Sequence, residues 1–319
     1  MSIVVCTEQR GLFQTSRLLL RESFDQIVCL DFSRLSEVRD KPKVTALICG
    51  LDSFVDSKIL ELFPNLKFVV SPTTGVTHLD QHELEKYVRV ITLQTEKEFL
   101  NTITSTAEIA WFHLLNAGRH GANEIAALAS SGNWNRYRFE SCQISSRIVG
   151  IIGYGRLGKR LSEYCRAFQI SRTMFFDPFV DQNNKESEVI KANTLKDLID
   201  RCDTLFVTAT LSDDTQGLIS RELLERCRQN TIIVNVSRGE LVDHVALIDV
   251  LVERKDVIYC ADVVEYEEDT NSKKLRVLLE QLIKLPNIYL TPHIGGSALD
   301  AMEKTQVHII QKLNRLLGH

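Results

Sequence analysis

Three polar side chains have the types needed to move a proton and grip a carboxylate: Arg238 in VNVSRGELVD, Glu267 in ADVVEYE and His293 in TPHIGGS. An imidazole that titrates near neutrality accepts a hydroxyl proton and returns it. A carboxylate on its second ring nitrogen, which Glu267 would supply to His293, fixes the tautomer and raises the pKa. A guanidinium holds a carboxylate by two parallel hydrogen bonds and polarises an adjacent carbonyl, which suits Arg238. Together these groups describe hydride chemistry at a carbinol or carbonyl carbon. Singly, each has an ordinary reading: a structural histidine before glycines, a salt-bridged arginine at a strand end, an acidic solvated loop over 265–269. Only their joint placement after successive strands favours chemistry.

The second signal is a glycine trio, Gly153, Gly155 and Gly158, spaced G-x-G-x-x-G in GYGRLG. An apolar run over 148–152 precedes it, a helix-like stretch follows, and a second apolar run over 173–176 ends at Asp177. That order is strand, tight turn, helix, strand, acid. Gly153 permits the turn, Gly155 lets backbone approach a pyrophosphate, and Gly158 lets the helix pack on the strand. N–H groups at the helix start face the phosphates. Asp177 accepts hydrogen bonds from the ribose hydroxyls and repels a 2′-phosphate, so NAD is expected in preference to NADP.

These groups need a scaffold that brings distant segments to one edge. Apolar runs over 3–6, 26–30, 45–49, 67–71 and 88–92 alternate with helical patterns such as 53–63. After Asp177 the alternation resumes, with strands expected over 203–208, 231–236, 257–262 and 288–290 and helices over 195–201, 220–229 and 245–254. Such alternation implies an α/β fold of doubly wound parallel sheets. Ligands bind beyond the carboxyl ends of such strands, where Arg238, Glu267 and His293 fall. The stretch 102–119 reads as a mostly apolar helix buried between layers or domains, 121–146 as a helix and an irregular connection, and 295–319 as a closing helix. A six- or seven-stranded sheet accounts for 101–292; 1–100 plus 293–319 form the other, discontinuous domain.

The bulk numbers fit a globular protein of two domains: 319 residues, 44% apolar, 25% charged. A net charge of −4 gives no basic surface for nucleic acid or anionic membrane. No apolar run approaches the ~20 residues that span a bilayer. The start, MSIVVC, reads as a buried strand rather than a signal peptide. Eight scattered cysteines without C-x-x-C read as core thiols of a cytoplasmic protein, with no metal site expected.

The chain resembles the D-isomer-specific 2-hydroxyacid dehydrogenases over about 44–306, through TTGVTHLD at 73–80, TAE at 106–108, GYGRLG at 153–158, FDP at 176–178, VNVSRGELVD at 234–243, ADVVEYE at 261–267 and TPHIGGS at 291–297. The resemblance implies a NAD-binding Rossmann domain inserted in a flavodoxin-like substrate-binding (catalytic) domain, and a homodimer made through the cofactor domain with 110–134 as candidate surface. It implies His293 as acid/base, Glu267 as its partner and Arg238 on the substrate carboxylate. Backbone of Thr74, Gly75 and Val76 would hold the carboxylate's other side. Arg156 and Leu157 would offer N–H groups to the pyrophosphate, Val236 and Ser237 would line the nicotinamide site, and Asp262 and Thr106 would touch the cofactor. The implied activity is hydride transfer between NAD(H) and a small D-2-hydroxy acid or 2-keto acid. The alternative is an NAD(H)-responsive scaffold on the same fold, which has no need of the trio although some such relatives keep it. Formate oxidation in the family uses glutamine in place of Glu267; phosphite oxidation keeps a similar trio.

The sequence departs from the family pattern at Glu268, where proline is usual, and at Ala209–Thr210. It departs again over 93–100, a longer and more charged approach expected to reach the substrate or a partner subunit. Specificity is expected in the loops 49–54, 71–76 and 93–101; His78 and Lys97 are the candidates to match a second carboxylate or phosphate on the substrate, with a solvated-surface reading favoured for both.

Overall fold

The computed structural model describes residues 2–8, 11–51, 54–181, 189–268 and 272–319. The chain divides into two compact units, Met1–Ile103 with Ser297–His319, and Thr104–Gly296. The return crossing follows Gly296, so His293 belongs to the second unit and not to the discontinuous one.

In the first unit, five parallel strands, β1 (Ile3–Cys6), β2 (Gln26–Cys29), β3 (Val44–Ile48), β4 (Phe68–Val70) and β5 (Arg89–Ile91), are ordered β2-β1-β3-β4-β5. This is the flavodoxin-like order. The runs IVVC and VTALI are nearly all apolar because helices cover both faces. One face packs Val5, Leu47, Val69 and Phe63; the other packs Val4, Ile48, Val70 and Leu20 against Ile309, Ile310 and Leu313. Those last three lie on the closing helix Leu299–Leu317, and each fully buried side chain contributes ~1.5–3 kcal/mol. The helix ends at Gly318, whose φ of 91° is left-handed.

In the second unit, seven parallel strands, β6 (Ile148–Ile152), β7 (Arg172–Phe176), β8 (Ile190–Lys191), β9 (Thr204–Val207), β10 (Ile232–Asn235), β11 (Ile258–Ala261) and β12 (Ile288–Leu290), are ordered β12-β11-β10-β9-β6-β7-β8. Counted from β6, this is the Rossmann order, reversing between β6 and β9. The reversal places the carboxyl ends of β6, β9 and β10 side by side.

Some expectations shift. Strand β8 was not anticipated: two residues carry no period. The 53–63 helix is the shorter Lys58–Leu62, and the expected start at Ser53 lies outside the described residues. The 102–119 helix is Ser105–Gly118, and it is not buried all round. Ala107, Ala110, Trp111 and Leu114 pack on Phe206 and Val234 of the sheet, while Phe112 and Leu115 remain exposed.

The 93–100 stretch turns back on its own unit. Glu96 accepts hydrogen bonds from His308 Nε2 at 2.8 Å and Lys312 Nζ at 2.6 Å, and Phe99 stacks on the His308 ring at 3.9 Å. The hydrogen bonds from Lys312 and His308 hold the Glu96 carboxyl down to about 2. The Glu96 charge, which read as part of a reach toward substrate or subunit, is turned to the closing helix.

Candidate active site

The glycine turn follows β6. Gly153 has φ of 90°, and a Cβ there would meet the Ala209 backbone at 2.6 Å, so glycine is required twice over. At Gly155 an added Cβ would meet nothing within 4 Å. The helix Arg156–Ala167 starts there on Gly155 with no side-chain cap, which leaves its first turn suited to an anionic acceptor. Gly158, buried in the first turn, sits against the Gly153 carbonyl. Asp177 follows β7 and is fixed by two main-chain donors, Tyr154 N–H at 2.8 Å to Oδ2 and Phe179 N–H at 2.9 Å to Oδ1. A carboxylate has about four acceptor positions, so both oxygens keep capacity for hydroxyl donors. These residues fit a dinucleotide: an uncapped helix start for the pyrophosphate, open space at Gly155, and an oriented acid one strand away.

Ala209, after β9, ties this turn to the next. Its backbone backs Gly153, and its carbonyl accepts the Ser237 hydroxyl. Val236 is buried after β10, and Ser237 N–H donates to Asn235 Oδ1 at 3.0 Å. Asn235 Nδ2 donates to the Arg238 carbonyl at 2.8 Å, which fixes the main chain at the arginine. Arg238 donates from Nη1 to the Ser237 carbonyl at 2.7 Å. Among the described residues it has no carboxylate within ion-pair distance, so the salt-bridge reading of this arginine finds no support. Gly239 is pressed against the next loop: a Cβ there would lie 2.1 Å from Glu265 N. That close approach couples the Arg238 loop to the Glu267 loop.

Glu267 Oε1 lies 2.9 Å from His293 Nδ1, and Glu267 Oε2 accepts Val264 N–H at 3.3 Å. His293 Nε2 is therefore the ring nitrogen left for a reactant. The Glu267 hydrogen bond raises the imidazole above its ordinary value; burial and the Arg238 charge oppose this, and Asp262 assists it. The Arg238 charge is thus within electrostatic range of the ring. Arg238, Glu267 and His293 are thus brought together from three loops at the carboxyl end of one sheet. Of the acidic run, Asp269 lies outside the described residues.

His293 has φ of 50°, left-handed for a residue with a Cβ. A hydrogen-bond frame enforces it. His293 N–H donates to the Asp262 carbonyl at 2.8 Å, while Ile294 N–H and Gly295 N–H donate to the two Asp262 carboxylate oxygens at 2.9 and 2.7 Å. The Thr291 hydroxyl donates to Asp262 Oδ1 at 2.5 Å. Having given its proton there, Thr291 Oγ1 accepts from His113 Nε2, 2.9 Å away, so His113 is the neutral Nε2–H tautomer. Burial lowers the His113 pKa, in keeping with that form. Thr106 Oγ1 donates to the Gly295 carbonyl at 3.3 Å. Asp262 is 2% exposed, and its carboxylate holds the turn that carries His293. His113 and Thr291 were not anticipated: their partnership spans 178 residues and leaves no local pattern.

In the first unit, the loop after β4 has its own frame. The Thr73 hydroxyl donates to the Gly75 carbonyl at 2.8 Å. Thr73 Oγ1 therefore accepts from Ser71 Oγ at 2.9 Å, and Ser71 accepts from His78 Nε2 at 2.9 Å. His78 is 5% exposed, which corrects its surface reading. The frame fixes the backbone on either side of Thr74, whose side chain is exposed; Gly75 and Val76 are half-buried. Of the 49–54 loop, Asp52 and Ser53 lie outside the described residues. Lys97 is exposed, as read.

Among the described residues no cluster of three or more His, Cys, Asp or Glu is placed to hold a metal ion, and no helix is long and apolar enough to cross a membrane.

The family model of the D-isomer specific 2-hydroxyacid dehydrogenase, NAD binding domain, matches residues 111–295. The chain belongs to the D-isomer-specific 2-hydroxyacid dehydrogenases. The hydroxypyruvate reductase of Thermotoga maritima is 26% identical over 278 residues, covering 87% of this chain and 86% of the relative. The D-3-phosphoglycerate dehydrogenase of Mycobacterium leprae is 30% identical over 280 residues, 87% of this chain but 50% of the relative. The chain thus spans about half the length of that phosphoglycerate dehydrogenase. Among solved structures, D-lactate dehydrogenase from Aquifex aeolicus, complexed with NAD and lactic acid, superposes with a TM-score of 0.83 at 18% identity, covering 99% of this chain and 96% of that one. At that identity the likeness shows the fold.

Proposed function

We propose that this chain transfers a hydride between NAD(H) and a small D-2-hydroxy acid or its 2-keto form, with His293 and Glu267 as the acid/base pair and Arg238 on the substrate carboxylate. The observation that carries the reading is the 2.9 Å contact between His293 and Glu267 beside an arginine with no ion-pair partner among the described residues. Relatives named for hydroxypyruvate, phosphoglycerate and glyoxylate share the 2-hydroxy or 2-keto acid chemistry and differ in the group beyond it.

When bound, NAD(H) supplies or takes up the hydride. The chain's own groups handle the rest. Arg238 has a planar fork that matches a carboxylate and polarises the carbonyl next to it. His293 Nε2 holds the proton that the carbonyl oxygen needs during reduction, and takes it back during oxidation. Glu267 on Nδ1 stabilises the protonated ring. The main chain of Thr74, Gly75 and Val76, pinned by the His78–Ser71–Thr73 frame, offers N–H groups suited to a carboxylate. Arg156 and Leu157 N–H groups at the uncapped helix start suit the pyrophosphate, Asp177 the ribose hydroxyls, and Thr106, Val236, Ser237 and Asp262 the nicotinamide end.

NAD over NADP rests on the Asp177 charge, which a 2′-phosphate would meet. A homodimer through 110–134 rests on the exposed Phe112, Leu115, Ile125 and Trp134, apolar groups that a second copy would cover. A cytoplasmic setting rests on eight cysteines, all free. The test is NADH consumption against a panel of 2-keto acids, repeated with NADPH. Turnover of at least one keto acid, faster with NADH, is the expected result. NADH binding without turnover on the whole panel would remove the proposal.

A further inference from the structure

Cys6 closes β1, Cys29 closes β2, and the two are register partners on adjacent parallel strands. Such partners carry their side chains on one sheet face, with strands about 4.8 Å apart. That spacing lies within the ~4.4–6.8 Å between Cα atoms that a disulfide spans. The register sets the two thiols side by side on that face, and their settings differ. Cys29 is exposed, and the contact with Cys6 draws its thiol down to about 6, with the Arg17 guanidinium assisting and burial opposing. Cys6 is buried, and the same contact pushes its thiol up, together with burial and the charge of Glu8. Arg17 stands on the Gln14–Ser23 helix, and its Nε donates to the Leu12 carbonyl at 3.3 Å.

An accessible thiolate, a cation beside it and a protonated thiol against it are the parts of an attacking and resolving pair. We propose that Cys29 and Cys6 are a hydroperoxide-sensitive dithiol that closes to a disulfide across β1 and β2. The Cys29 sulfur attacks the outer peroxide oxygen. The O–O bond breaks, the leaving oxygen takes a proton and departs as alcohol or water, and Cys29 becomes a sulfenic acid. The Cys6 sulfur then attacks Cys29 Sγ, the S–S bond forms, the S–O bond breaks, and the hydroxide leaves with the Cys6 proton as water. Two thiols are oxidised by two electrons and one peroxide is reduced. A thiol-based reductant restores the pair by exchange.

The experiment is a hydroperoxide titration of the full chain at pH 6, read by intact mass and by non-reducing peptide mapping. A Cys29 thiol at about 6 is half thiolate there, and after allowance for its lower nucleophilicity it reacts roughly tenfold faster than free cysteine. The expected product is a Cys6–Cys29 linked peptide, with the mass lower by two hydrogens, formed before the other exposed thiol, Cys142, reacts. Cys6→Ser should stop at a dimedone-trapped sulfenic acid on Cys29, and Arg17→Met should slow the first step. Oxidation no faster than free cysteine would overturn the proposal. So would a Cys29 sulfinic acid without the Cys6 linkage in the native chain.

Discussion

The His293 main-chain N–H donates to the Asp262 carbonyl at 2.8 Å, while the Asp262 carboxylate holds the two N–H groups that follow. One buried acid therefore holds the left-handed backbone of His293, and Glu267 at 2.9 Å orients its ring. Residues held in a sparsely populated conformation by surrounding bonds cluster at functional sites, and this turn follows that pattern.

Arg238 should tolerate no substitution by another cation. Arg238→Lys keeps the charge but loses the planar fork, and Arg238→Gln loses both. With ~1.5–3 kcal/mol for a hydrogen bond to a charged group, kcat/KM for a 2-keto acid should fall roughly 10- to 100-fold in the lysine variant and further in the glutamine variant. Steady-state kinetics with saturating NADH check this. An unchanged KM in both variants would place the substrate carboxylate elsewhere.

His113 acts on His293 only through Thr291 and Asp262. His113→Leu leaves Thr291 without its donor and should lower kcat by roughly tenfold, about 1.4 kcal/mol of barrier. His113→Gln keeps an N–H donor and should recover most of the rate. The readout that separates positioning from plain packing is the pH profile of kcat. It should broaden or shift in the leucine variant and return in the glutamine variant. Equal melting losses with an unmoved profile in both would reduce His113 to a core residue.

Acid should destabilise the fold through two buried histidines. Burial lowers the pKa of both His113 and His244. Their unfolded values lie near 6.5, so below that pH the unfolded chain takes up protons that the folded chain refuses. Stability should be level above about pH 6.5 and fall on the acid side, by at most ~1.4 kcal/mol per pH unit for each group. His293 has the opposite sign: its raised value contributes stability at low pH that is lost as pH rises through it. Urea midpoints at pH 7.5 and 5.5 measure the sum, and His244→Phe should flatten the acid slope. A midpoint that rises toward acid would contradict the assignment.

Much of this site was legible because the chain encodes it locally. The glycine spacing, the strands around it and Asp177 occupy one short stretch, and the structure places them as a turn, a helix start and a strand end. Arg238, Glu267 and His293 were legible by position, each just past an apolar run. Their supports were not. His113 lies mid-helix on an apolar face, where a histidine reads as core, and Thr291 is an unremarkable loop threonine. Ala209 backs the Gly153 turn through backbone contact, which side-chain patterns do not record. His78 read as surface because it stands among polar neighbours, yet it is buried under the Ser71–Thr73 loop. The Cys6–Cys29 contact depends on register between strands far apart in sequence, which spacing alone does not give.

In the proposed reaction Glu267 sustains the proton held by His293, and the pH dependence of keto acid reduction reads that support. Reduction needs the protonated imidazole, and Glu267 raises its pKa, so kcat/KM should stay level to a pH above the ordinary histidine value and then fall. Glu267→Gln removes the largest contribution to that rise. The falling limb should move toward acid, with a loss of roughly 10²–10⁴-fold at neutral pH if the acid/base function is crippled. The same profile in wild type and Glu267→Gln, at comparable rates, would remove Glu267 from the acid/base pair.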